Sequence, residues 1–261
     1  MANELSLVPK QYWSYKSERK IGTEVSLTVT DFPHPIITVS LYGRCFDRDN
    51  PLPTDSDNAL TRKAAVFEGP ILGNETVDKP HEIINKNLLM FKQVTEKAKQ
   101  YGSNILVFSE YGIISPPFNR TILSTVTEKI PDPRKGVYNA CDKKDKSLPI
   151  TVALSCLAKH NNIYIVADYG DRLDCDVITD KKCPKDGYYL YNTAVAFDPN
   201  GVMVAKYHKR HLFRVGEQLI YDYPSTEFSY FDTPFGRIGI IICYDIVWGD
   251  PGTGLVSKYN S

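Results

Sequence analysis

Ile238-Gly239-Ile240-Ile241-Ile242-Cys243-Tyr244-Asp245 is an apolar run that carries a thiol near its end. Such a run reads as a buried strand. A residue at the C-terminal tip of a strand is held rigidly while facing the open space above the sheet, where α/β folds place their chemistry. A lone cysteine packs more often than it reacts, so its neighbours decide its meaning. Asn104-Ile105-Leu106-Val107-Phe108-Ser109-Glu110-Tyr111-Gly112 is a second apolar strand that runs into a carboxylate. Lys206-Tyr207-His208-Lys209-Arg210-His211-Leu212-Phe213 carries a third strand into a basic turn. Charged side chains in such places are ordinarily solvated. Together, however, they supply a base, a cation and a thiol, the three parts that amide hydrolysis through an acyl-enzyme requires.

Outward from these strand ends, the chain alternates strands and helices. A strand is expected at about 62–67, followed by a helix over 82–101 with Ile84, Leu88, Phe91, Val94, Ala98 and Tyr101 on one face at the helical period. The strand ending at Glu110 then completes a βαβ start. Pro116, Pro117, Pro131 and Pro133 break up a long loop that could rim the site. A second helix is expected over 148–162 and a third buried strand over 163–167. Leu190 to Phe197, the turn Asp198-Pro199-Asn200-Gly201 and a return strand to Tyr207 form a hairpin with proline and glycine where a turn wants them. Thr233-Pro234-Phe235-Gly236 turns the chain into the strand that delivers Cys243. The fold class is α/β with a mixed sheet. The aromatic residues from Tyr221 to Phe231 read as core, interface or pocket lining.

A chain of 261 residues suffices for one full core or for a domain plus a tail. Its 31 basic and 31 acidic residues balance, so it lacks the clustered basic face of a nucleic-acid binder. No apolar stretch approaches the roughly 20 residues needed to span a bilayer. Residues 1–60 form an unassigned segment: Glu24 to Thr30 alternates like a strand, and Asp49 to Asp57 reads as a linker. Met1 to Lys20 lacks the apolar core, about 7–15 residues long, of a secretion signal.

Of the six cysteines, Cys175 and Cys183 suit a local disulfide across polar loop sequence, and Cys141 with Cys156 could form a second. Cys45 is then left over. A zinc site of Cys175, Cys183, His208 and His211 is a rival reading, although structural zinc pairs usually sit about two to four residues apart. Asn74-Glu75-Thr76 and Asn119-Arg120-Thr121 are glycosylation sequons.

Several stretches carry a family resemblance: Lys63-Ala64-Ala65-Val66-Phe67-Glu68, Asn85-Lys86-Asn87-Leu88, Leu106 to Ile113, Leu154-Ser155-Cys156-Leu157-Ala158, Tyr191-Asn192-Thr193-Ala194-Val195 and Lys206 to Phe213. From about residue 60 onward, the chain resembles the nitrilase superfamily of carbon–nitrogen hydrolases, and within it the vanin and biotinidase branch. Ser109 departs from the proline that this branch usually has before its glutamate. The resemblance implies an α-β-β-α sandwich over residues 61–261. It also implies Glu110 as general base, Lys209 as the oxyanion-stabilising lysine, Cys243 as nucleophile and Glu217 as a second, supporting glutamate. His211 as the base of a Cys-His pair is the alternative from the residues themselves. Members of the branch continue well beyond the nucleophile, whereas this chain stops 18 residues after it (261 − 243). The sandwich is therefore expected to be incomplete at its C-terminus.

The implied chemistry needs no cofactor or metal. Glu110 takes the thiol proton, helped by the positive field of Lys209. Cys243 attacks a linear amide of a small vitamin-like molecule, and water releases the thioester. Pantetheine, giving pantothenate and cysteamine, is the expected substrate. Biotin amides, a cytosolic nitrilase-type amidase activity and an inert fragment are the alternatives. By resemblance the protein belongs outside the cell or at its surface.

Overall fold

The computed structural model describes residues 64–67, 79–114, 119–213, 216–225, 228–259 and 261. The expected strand over 24–30, the linker, Cys45 and Asn74 lie outside the described residues.

The main sheet has the order β1-β2-β3-β4-β5. Strands β1 (Ala64–Phe67), β2 (Ile105–Phe108) and β3 (Tyr164–Asp174) run parallel. β4 (Tyr188–Phe197) and β5 (Met203–His208) return antiparallel. The sheet is mixed, as the sequence predicts. β3 is longer than the expected 163–167 because it stays paired with β4 from Ile165↔Phe197 to Asp174↔Tyr188. Its continuation is polar, so the apolar run alone marked its buried start.

One face of the sheet is covered by helices. α1 (Pro80–Gln100) begins with proline, whose missing N–H would have had no partner in a first turn. Its buried face is Ile83, Ile84, Asn87, Met90, Phe91, Val94, Thr95 and Ala98. The stripe is rotated from the expected one: Leu88 is half-buried and Tyr101 caps the end. The rotation admits Asn87, whose Nδ2 donates to the Ile83 and Ile113 carbonyls at 3.0 Å each. A buried amide is thereby satisfied, and the backbone just past Glu110 is tied to the helix. α4 (Pro149–Asn161) packs on the same face through Ile150, Leu154 and Ala158.

The opposite face presents Ala64, Ile105, Val166, Ala194, Ala196, Ala205 and Tyr207 to Phe231, Ile240 and Ile242. Those three belong to, or follow, a two-stranded antiparallel sheet of β6 (Tyr230–Thr233) and β7 (Gly236–Gly239). α5 (Gly252–Tyr259) covers its other side, and a Cβ on Gly239 would stand 3.1 Å from Leu255 Cδ1. The layers therefore follow α-β-β-α order, the arrangement of a nitrilase-type fold.

The segment that delivers Cys243 differs from the expected buried strand. β7 ends at Gly239, and a 3₁₀ turn begins at Cys243 itself. Ile240 and Ile242 are buried while Ile241 is exposed, so the run alternates. A thiol on a turn is less shielded than one inside a strand, and Cys243 is exposed.

Two cross-links hold the periphery. Cys141–Cys156 joins α3 (Ala140–Lys143) to α4, and Cys175–Cys183 closes the loop after β3. With Cys175 and Cys183 bonded to each other, the zinc reading falls. Among the described residues no metal-binding group of His, Cys, Asp and Glu converges. None of the described helices is long and apolar enough to cross a membrane.

Leu148, which precedes α4, makes no side-chain cap. Buried Glu128, on a segment bridged in parallel to β3, fills that place instead by accepting from Ile150 N, Thr151 N and Thr151 Oγ1. Glu128→Ala should lower the unfolding free energy by about 2 kcal/mol, the upper range for a lost helix cap. Urea denaturation measures this, with Glu128→Gln expected to recover part of the loss.

Candidate active site

Four neighbouring strands deliver the polar groups to one end of the sandwich. Glu110 follows β2, Asp168 lies on β3, Asn192 on β4, and Lys209 follows β5. Lys209 N–H continues the ladder by donating to the Asn192 carbonyl at 2.8 Å. From the second sheet Cys243 arrives opposite them. Glu217 enters on the short turn Glu217–Leu219.

Lys209 is the centre. It is 1% exposed, and burial of a bare ammonium would be costly. Its Nζ donates to Glu110 Oε1 at 2.7 Å and to Glu217 Oε1 and Oε2 at 2.8 and 2.9 Å. Burial alone would depress the ammonium, but the hydrogen bonds and charges of Glu110 and Glu217 outweigh it and raise its proton affinity. Lysine has three N–H donors. If the paired Glu217 contacts share one, another remains for a substrate oxygen.

The other basic residues of the cluster face other carboxylates, Lys206 and His208 sharing one. Lys206 Nζ and His208 Nε2 reach Asp171 Oδ2 at 2.9 and 2.8 Å, and Lys206 also donates to the Ile130 carbonyl. The Asp171 carboxyl is held below its ordinary value: burial opposes this, and His208 and Lys206 prevail. His211 Nδ1 lies 2.9 Å from Asp245 Oδ1, and its ring stacks on Trp248 at 4.5 Å. Arg210 Nη1 approaches Asp250 at 3.8 Å. His211 is therefore engaged with Asp245, whereas the carboxylate acting on Cys243 is Glu110.

Cys243 has φ 41°, a left-handed conformation that a non-glycine residue adopts at a cost. Fully buried Asp245 enforces it. Its Oδ2 accepts from Ile242 N at 3.0 Å and from Tyr207 hydroxyl at 2.8 Å. Its Oδ1 accepts from His211 N at 2.9 Å. The thiol is thus presented on a braced elbow. Burial first, and then the charge and contact of Glu110, push the thiol above its ordinary value. Lys209 pulls it down and is outweighed. The expected thiolate-promoting field is therefore not the net effect, and the resting sulfur keeps its proton beside a carboxylate.

The residues that complete the arrangement escaped the sequence reading. Asn192 Nδ2 donates to Glu110 Oε1 at 2.7 Å and to Tyr111 hydroxyl at 3.0 Å. Tyr111 hydroxyl bonds Glu217 Oε1 closely, and Phe213 N donates to Glu217 Oε2 at 2.6 Å. Burial above all, then Tyr221 and Glu217, drives the Tyr111 phenol upward, so it remains a donor. A polar residue inside an apolar strand, as Asn192 is within Leu190 to Phe197, was the available signal.

The carbon–nitrogen hydrolase family profile matches residues 63–251. Pantetheinase of Mus musculus is 40% identical over 205 residues, which is 76% of this chain and 40% of that protein. Biotinidase of Takifugu rubripes is 37% identical, over 75% of this chain and 40% of that protein. The chain thus spans about 40% of the length of these curated relatives. An amidase from Nesterenkonia sp. superimposes with a TM-score of 0.46 at 16% identity, covering 64% of this chain and 52% of that one.

Glu110→Gln should move the thiol titration downward, because it removes a negative charge that raises it. Lys209→Met should move it upward. Thiolate absorbance against pH, with Cys243→Ala as blank, reads both signs.

Proposed function

The chain belongs to the carbon–nitrogen hydrolase family, in its vanin and biotinidase branch, and on that premise we propose that it hydrolyses the linear amide of pantetheine through a thioester on Cys243. The observation that carries the reading is the buried Lys209 held between Glu110 and Glu217, with a free thiol beside Glu110. Residues 61–261 form the catalytic unit in this reading, and residues 1–60 lie outside it.

Glu110 is the general base. Because the resting thiol is protonated, its proton passes to Glu110 as sulfur attacks, and no standing thiolate is required. The new S–C bond pushes the carbonyl electrons onto oxygen, where Lys209 supplies a fixed, water-excluded positive charge. Glu110 then gives the proton to the amine nitrogen as the C–N bond breaks, and cysteamine leaves. A water, deprotonated by the same carboxylate, attacks the thioester. Pantothenate departs and the proton returns to sulfur. Glu217 acts on Lys209, by fixing where its charge sits.

The two disulfides favour an extracellular or cell-surface setting, since such bonds persist in oxidising compartments. The sequon at Asn119 agrees with it: Asn119 is exposed, and its Oδ1 caps α2 (Arg120–Ser124).

Cysteamine release from pantetheine should be measured for wild type, Cys243→Ala and Lys209→Met, with biocytin in parallel. The expected outcome is release that falls to background in Cys243→Ala and by about 100-fold or more in Lys209→Met, the loss typical of a removed oxyanion donor. Turnover of biocytin alone would move the substrate to biotin amides. Wild-type release from folded Cys243→Ala would overturn the mechanism.

A further inference from the structure

Asp168 lies on β3, is 5% exposed, and plays no part in the chemistry above. Its Oδ1 accepts the Tyr111 N–H at 3.1 Å. Tyr111 itself has φ 60°, a strained conformation for a bulky side chain that surrounding contacts must impose. This one hydrogen bond therefore grips the turn that carries both Glu110 and the Tyr111 hydroxyl.

The other oxygen, Oδ2, is buried and has no hydrogen-bond partner among the described residues, and the same is true of Asn192 Oδ1. Two orphaned acceptors in one site call for an explanation. The strand register supplies one. Asp168 pairs with Ala194 and Gly170 with Asn192, so Asp168 and Asn192 lie on the same face of adjacent strands, one diagonal apart. Two bare acceptor oxygens would repel there. One proton on Oδ2 turns the pair into donor and acceptor.

The charges around Asp168 agree. It is faced by Glu110 and Tyr111 after β2, by Lys209 after β5, by Glu217 on its short turn and by buried Tyr221. An ionised Asp168 would be a third carboxylate around a single ammonium. Burial, then the Glu110 charge, lifts its proton affinity well above the ordinary carboxyl range, against smaller opposing effects of Tyr111 N–H and Lys209.

We propose that Asp168 is a positioning residue that works as a neutral acid: Oδ1 holds the Tyr111 turn, while Oδ2–H is directed to Asn192 Oδ1, directly or through one water. Asn192 Nδ2 is thereby aimed at Glu110 and at the Tyr111 hydroxyl, so the base is fixed from both sides without a further charge in the site. The proposal rests on the amidase reading for its kinetic consequence, and on the site's geometry and surrounding charges, not on that reading, for the protonation.

Asparagine reproduces both hydrogen bonds of a neutral aspartic acid, whereas alanine makes neither. With pantetheine as substrate, Asp168→Ala should lose roughly 10–100-fold in kcat, the scale of a misplaced catalytic group, with KM changing less. Asp168→Asn should rescue kcat and keep the wild-type pH profile. A substrate-free measurement accompanies this. The folded protein holds a proton that the unfolded chain releases above 3.8, so it is the folded state that binds more protons. Wild-type stability must then fall, relative to Asp168→Asn, as pH rises. Urea midpoints of the two proteins should diverge in favour of the variant as pH rises above the 3.8 at which the unfolded carboxyl ionises. A constant or shrinking difference, or an Asp168→Asn enzyme as impaired as Asp168→Ala, overturns the proposal. A chain that is silent toward amides but shows the divergence would sink the amidase reading alone.

Discussion

The structure turns on one buried cation. Lys209 is excluded from water, and only carboxylates within hydrogen-bonding distance make that tolerable. Glu110 and Glu217 arrive from segments 99 and 8 residues away, so the ammonium closes the sheet end against the turn at Glu217. Breaking a buried pair by removing one partner typically costs about 3–5 kcal/mol, because the remaining charge is left uncompensated. Lys209 is consequently structural as well as electrostatic, and its charge also fixes where Glu110 points. The same contacts leave the site with two carboxylates and one ammonium, a balance that cannot easily admit another ionised group.

Cys243 is governed by a separate device. Asp245 gathers the Ile242 and His211 N–H groups, the Tyr207 hydroxyl and the His211 ring, and so folds the backbone into the left-handed step at Cys243. Tyr207 belongs to β5, two residues before Lys209, so thiol and ammonium are referenced to the same strand. This shared anchor holds the sulfur near Glu110 while leaving it exposed. Keeping the resting thiol protonated also limits its reactivity toward oxidants, since the thiolate is the reactive form.

Much of this was legible in the chain. The helix with its period over 82–101, the helix over 148–162, the hairpin turn at Asp198 to Gly201 and both cysteine pairings are local readings, and the structure contains these elements. The three chemical residues stood out because each reads as lying at or just past the end of a strand. What could not be read were partnerships between segments distant in sequence. Asp168 and Asn192 look like polar interruptions until the sheet register places them on one face, and Asp245 looks like one until Tyr207 and His211 meet it. The balance of burial and charge at Cys243 depends on how closely Glu110 and Lys209 approach it. The strand before Cys243 was overextended for a related reason: an apolar run records burial, whereas Asp245, two residues beyond the thiol, decides where extended backbone gives way to a turn.

The central claim is that amide cleavage proceeds through a covalent bond to Cys243. Acid quenching of wild-type protein during pantetheine turnover, followed by mass analysis of the peptide that contains Cys243, tests it most directly. The account predicts that a fraction of that peptide carries a pantothenoyl group, which hydroxylamine removes as it removes a thioester. Turnover with an unmodified Cys243 peptide under rapid quenching, or an acyl group found on another residue, would contradict it.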